Sequence, residues 1–92
     1  MNNFRIFETD NFIKKINKIS GKEKKIIITN LTKKVYKQLS EQPYFGNNIK
    51  KLKNFTPETW RYRISNYRLF YEVDENEKIV SIIDFSTRQN AY

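Results

Sequence analysis

Residues 60–73 read Trp-Arg-Tyr-Arg-Ile, Ser-Asn, Tyr-Arg-Leu-Phe-Tyr-Glu-Val. Alternation of this kind demands extended backbone, because successive side chains of a strand leave opposite faces of a sheet. It puts Trp60, Tyr62 and Ile64 on one face and Arg61 and Arg63 on the other. In the second run Tyr67, Leu69, Tyr71 and Val73 share a face, with Arg68, Phe70 and Glu72 behind them. Only Ser65 and Asn66 separate the runs, which is hairpin spacing. A third apolar run, residues 79–85, follows the polar turn at residues 74–77, so the C-terminal third is predicted to be a three-stranded antiparallel meander.

Ahead of the meander the spacing changes. Residues 4–8 alternate as a short strand. Asp10 is placed to cap a helix in which Phe12, Ile16 and Ile19 recur at helical intervals, with Lys14, Lys15 and Lys18 on the wet side. Ser20 and Glu23 have the spacing of a capping box, which starts a second helix. Its buried stripe is expected to be Ile28, Leu31, Val35 and Leu39; a strand over residues 26–29 is the rival, given three successive isoleucines. Pro43 ends this helix, and residues 49–55 form a basic connector anchored by Leu52 and Phe55. The expected fold class is therefore α+β: two N-terminal helices on one face of a small antiparallel sheet, in the order β-α-α-β-β-β, with the opposite face concave and basic. At 92 residues the chain is expected to be one domain, 1–92.

Composition removes several chemistries. There is no cysteine and no histidine, so disulfides, thiolate metal sites, the commonest metal ligand and the commonest general base are all missing. No metal and no cofactor is expected. No segment has the apolar length of a signal peptide or a membrane span, so a cytoplasmic location is expected. Eighteen Lys and Arg against ten Asp and Glu give a net charge of +8 and point to a polyanionic partner. The lysines lie mostly before residue 54, and Lys33, Lys34 and Lys37 join those of the first helix as a solvated surface. Four of the five arginines follow residue 60, where a rigid guanidinium fork can grip phosphate in a way an ammonium cannot.

The phrase Lys51-Leu52-Lys53 leading to Trp60-Arg-Tyr-Arg-Ile64, the phrase Tyr67-Arg-Leu-Phe-Tyr-Glu-Val73 and the closing Arg88-Gln-Asn-Ala-Tyr92 resemble the RelE/ParE toxin superfamily of type II toxin–antitoxin systems over the whole chain. The resemblance implies one of two activities. RelE-like members cut messenger RNA, typically at the ribosomal A site, and block translation; ParE-like members act on DNA gyrase and cut nothing. Residue-by-residue correspondence favours the RelE-like branch, with Arg61, Arg63, Arg68, Arg88 and Tyr92 as the catalytic set and Lys50, Lys51 and Lys53 as RNA-binding residues. The implied partners are a cognate antitoxin, messenger RNA and the ribosome near the 16S rRNA of its A site.

Metal-free RNA cleavage requires a base to deprotonate the 2′-hydroxyl, positive charge on the developing phosphorane and an acid for the 5′-oxygen. Arginines suit the second role and fail at the first, since they stay charged. Some RelE-like members have lysines where Arg61 and Arg63 stand, and others a histidine where Thr87 stands, so Glu58, Glu72 or a lysine of the 50–53 cluster is the candidate base. Tyr92 is expected to position the phosphate. The competing role for Arg61 and Arg63 is ordinary cross-strand ion pairing with Glu58 or Glu72.

Overall fold

The computed structural model describes residues 3–87. Five strands form one sheet: β1 (Arg5–Glu8), β2 (Ile49–Lys51), β3 (Thr59–Ile64), β4 (Tyr67–Asp74) and β5 (Ile79–Thr87), in the spatial order β1-β5-β4-β3-β2. The meander is present as predicted, with Ile64 opposite Tyr67 across the two-residue turn, where Ser65 takes a φ of 51°. Two features extend the expectation. The basic connector contributes an edge strand, β2, paired antiparallel with β3; and β1 pairs with β5 in parallel, Arg5 opposite Ile79, so the sheet is mixed. Parallel pairing joins residues more than seventy positions apart and leaves no local trace in sequence.

Helix α1 (Asp10–Ile16) is capped by Thr9 and not by Asp10. The Thr9 hydroxyl accepts from the Phe12 N–H at 3.4 Å and donates to the Ile82 carbonyl at 2.7 Å, which ties the cap to β5. Asp10 instead sits in the first turn, where its charge complements the helix dipole. The expected capping box at Ser20 is not formed: helix α2 (Gly21–Asn30) has no side-chain cap, and Glu23 accepts a hydrogen bond from the Tyr67 hydroxyl.

The helical path then runs through a π-turn (Leu31–Val35) into α3 (Tyr36–Glu41). This changes the buried stripe from the expected one: Ile27, Leu31, Val35 and Leu39 are buried, whereas Ile28 is exposed. In a regular α-helix each four-residue step rotates the next side chain by about 40°. A wider turn absorbs that drift and holds four residues at constant spacing of four on one line. Thr29 and Thr32 use their hydroxyls on carbonyls four residues back, at 2.9 and 3.0 Å, as the turn widens.

One face of the sheet meets these helices. Tyr62, Ile64, Leu69, Tyr71, Val80, Ile82 and Phe85 pack with Phe12, Ile16 and the α2–α3 stripe, and Phe85 stacks on Tyr67 at 5.1 Å and meets Phe12 edge-on at 6.1 Å. Buried tyrosine hydroxyls find partners: Tyr71 donates to the Pro43 carbonyl at 2.7 Å and Tyr62 to the Gln38 side chain at 2.8 Å. Trp60, Tyr62, Tyr67 and Tyr71 are thus core residues, as their alternation indicated.

The neighbouring isoleucines of α2 test this register. Ile27→Ala is expected to cost about 2–4 kcal/mol in urea unfolding, and Ile28→Ala less than about 1 kcal/mol. The reverse order would place Ile28 in the core and return the stripe to regular α-helical spacing.

Candidate anion site on the open face

The face of the sheet away from the helices is organised in cross-strand rows. Lys50 on β2 stands opposite Arg61 on β3, which stands opposite Phe70 on β4, which stands opposite Asp84 on β5. In the adjacent row the Arg63 N–H donates to the Asn48 carbonyl at 3.0 Å, Arg63 stands opposite Arg68, and Arg68 opposite Ser86. Register therefore brings Arg61, Arg63 and Arg68 into one cluster, with Lys50 beside it.

No ion pair among the described residues neutralises this cluster. The described residues form three ion pairs, Lys15–Asp84, Lys51–Glu58 and Lys78–Glu75, and none includes Arg61, Arg63 or Arg68. The ion pairs weighed as an alternative role for these arginines are not made among the described residues. Burial, and then the charges of Arg68 and Arg63, push the Arg61 guanidinium below its ordinary range. The Nε atoms of Arg61 and Arg68 and the hydroxyl of Ser86 are buried without a hydrogen-bond partner among the described residues. Three guanidiniums side by side, two of them with an Nε–H unpartnered among the described residues, are an arrangement that can accept a multiply charged anion.

The other residues singled out from sequence divide. Lys51 falls on the opposite face from Lys50, beside Trp60, and its ammonium reaches Glu58 at 3.1 Å; Lys53 is exposed in the turn after β2. Glu58 is exposed and held by Lys51, outside the arginine cluster. Glu72 shares the arginine face, opposite Thr59 and Ser81, four residues along β4 from Arg68 or about 13 Å of strand. Together with Pro57, Glu58, Asp74 and Glu75 it lines an acidic groove of about 500 Å³. Arg88 and Tyr92 lie outside the described residues.

Asp84, which the sequence offered only as a possible ion-pair partner of Arg68, pairs instead with Lys15. Strict alternation along residues 80–84 would send it into the core with Val80 and Ile82. A β-bulge breaks the register between Phe70 and Tyr71: Phe70 pairs with Asp84 but Tyr71 with Ile82, so Ile83 is the extra residue. Asp84 thereby turns onto the arginine face while Phe85 enters the core. Its Oδ1 accepts from the Lys15 ammonium at 2.8 Å and from the Phe85 N–H at 2.8 Å. No group of three or more His, Cys, Asp or Glu among the described residues is placed to hold a metal ion, and no described helix is long and apolar enough to cross a membrane.

Like charges directly across a ladder destabilise a sheet by about 0.2–1 kcal/mol. Arg63→Gln is therefore expected to raise the melting temperature by a few degrees at low salt, with the gain shrinking as salt is added. Inorganic phosphate should stabilise the wild-type protein more than this variant. A lower melting temperature for Arg63→Gln would show Arg63 to be held by stabilising contacts.

No curated protein sequence matches the chain. Solved structures do. The archaeal RelE–RelB complex from Pyrococcus horikoshii OT3 aligns over 99% of this chain and 100% of its own at 18% identity, with a TM-score of 0.71. The RelBE2 toxin–antitoxin complex from Mycobacterium tuberculosis aligns over 94% and 99% at 20% identity, with a TM-score of 0.73. The E. coli RelBE complex aligns over 91% and 95% at 20% identity, with a TM-score of 0.66. At such identities the likeness establishes the shared α+β fold. Family comes from the sequence itself: the profile of the ParE toxin of type II toxin–antitoxin systems matches residues 8–92, nearly the whole chain, and the chain belongs to that family of toxins.

Proposed function

We propose that this toxin is a metal-independent endoribonuclease that cuts messenger RNA, at the ribosomal A site, and so inhibits translation. The observation that carries the reading is the Arg61, Arg63 and Arg68 cluster, gathered with Lys50 on one face and forming no ion pair with a described carboxylate.

In the proposed reaction the 2′-hydroxyl oxygen attacks the adjacent phosphorus and the bond to the 5′-oxygen breaks, leaving a 2′,3′-cyclic phosphate and a 5′-hydroxyl. Arg61, Arg63 and Arg68 donate paired hydrogen bonds to the non-bridging oxygens as negative charge builds there, in a setting that needs no rearrangement during the step. Arg88 is assigned a fourth fork and Tyr92 the positioning of the phosphate. Glu72 is the candidate base that shares the arginine face. A cognate antitoxin restrains the toxin by covering the cluster with acidic side chains.

A ParE-like activity, inhibition of DNA gyrase without cleavage, is the second reading, and the ParE family match favours it. Primer extension on a translated messenger separates the two. Cleavage at a fixed codon phase with unchanged DNA supercoiling is expected; intact messenger with inhibited supercoiling moves the protein to the gyrase branch. Arg68→Ala should reduce cleavage by roughly a hundredfold or more, the scale of losing one preorganised donor to a developing oxyanion. Its thermal unfolding should stay cooperative, and a variant that fails to fold would make Arg68 a structural residue.

A further inference from the structure

Helix α1 does more than cover the core. Strand β1 stops at Glu8, opposite Ile82, and among the described residues no strand continues beside the rest of β5 on that side. Helix α1 fills the place: Asn11 donates from its amide to the Ile83 carbonyl at 2.8 Å, and Lys15, one turn further along, reaches Asp84. The first contact satisfies the carbonyl of the bulged residue. The second carries an ammonium from the helix to the edge of the arginine face, since the bulge is what turns Asp84 that way. The carboxylate is the buried member of the pair, with 10% of its side chain accessible, whereas Lys15 keeps 43%. Asp84 acts as the anchor, and the lysine is the group presented to solvent.

From this arrangement we propose that Lys15 is a substrate-binding residue and that the polyanion crosses the sheet at right angles to the strands. Its path runs from Lys50 on β2, over Arg61 and Arg63 on β3 and Arg68 on β4, to Lys15 beyond β5. The cations on the strands lie in two neighbouring rows, and Lys15 meets the Asp84 end of the first of them, beyond the buried Phe70, while Asp74 and Glu58 lie outside these rows and repel a backbone that strays along the strands. From β2 to β5 is three strand spacings, about 14 Å. That exceeds one phosphodiester, so the ligand is an extended single strand of several nucleotides. Asp84 is a positioning residue that acts through Lys15. The identity of the polyanion as RNA rests on the ribonuclease reading above; the path rests on the charge layout alone.

The test uses binding, separate from cleavage. Two 2′-O-methylated oligoribonucleotides, which lack the attacking hydroxyl, are titrated against the full chain: one of about ten nucleotides and a dinucleotide that covers only the arginine cluster. Lys15→Gln should weaken the long probe several-fold, lower the slope of log affinity against log salt by about 0.7, and leave the dinucleotide unchanged. Lys15→Arg should restore the long probe. Lys33→Gln, which removes the same charge from the outer side of the π-turn, should leave both alone. Equal effects of Lys15→Gln and Lys33→Gln, or equal effects on both probes, would overturn the proposal while the arginine site stands. Failure of the wild-type protein to bind either probe overturns the ribonuclease reading and this proposal together. A melting curve for Lys15→Gln accompanies the titration, and a collapsed fold rescued by Lys15→Arg without recovery of long-probe affinity also counts against it.

Discussion

One extra residue in β5 sets what each face of the sheet carries. Without the bulge at Ile83, Asp84 would follow Val80 and Ile82 into the helix-covered core and Phe85 would be left outside. A carboxylate buried there without compensation would cost several kcal/mol, and the ring that stacks on Tyr67 and meets Phe12 would be lost. The bulge reverses both outcomes in a single step. It also leaves the Ile83 carbonyl for Asn11 and aims Asp84 at Lys15, so the docking of α1 onto the sheet follows from the same irregularity.

The open face is maintained at an electrostatic cost. Arg63 and Arg68 stand directly opposite one another, Arg61 is diagonal to Arg68, and burial together with these neighbours works against the Arg61 charge. Such an arrangement persists because stability comes from elsewhere, from the aromatic and aliphatic packing on the other side of the same strands. β4 is where the two demands meet: Leu69 and Tyr71 are fully buried toward the helices, and Arg68 projects the other way from the residue beside them. The rigid strand is what keeps the guanidiniums in place before any ligand arrives, which is the condition for them to favour a transition state over a ground state.

Much of this was legible from residues 60–73, because strand alternation is local and each face declares itself within six residues. The arginine cluster followed from it: Arg61, Arg63 and Arg68 share the open face as the pattern required. What could not be read locally was pairing. The parallel β1–β5 contact joins the two ends of the described chain, and β2 is too short and too rich in lysine to announce a strand. The bulge was hidden because Ile82 and Ile83 are both apolar, so an inserted residue does not interrupt the hydrophobic run. The helix stripe was misplaced by one residue, Ile28 for Ile27, because a spacing of three then four fits a regular α-helix and the π-turn that accommodates four throughout has no sequence signature of its own. Lys15 read as one of several solvated lysines until Asp84 was turned toward it.

The distribution of charge also explains why a chain of net charge +8 places several of its carboxylates so close to its proposed site. Glu58, Glu72, Asp74 and Glu75 gather at one end of the open face, and the arginines at the other. A uniformly basic face would hold a nucleic acid in any direction along or across the strands, with affinity but little register. An acidic border at one end disfavours a lengthwise path in that direction and favours the proposed crosswise one, in which a phosphate over Arg61, Arg63 and Arg68 would have flanking contacts on either side. For the proposed cleavage, orientation of that kind would matter, since a phosphodiester held in one alignment presents its 2′-hydroxyl to the phosphorus far more often than one that slides.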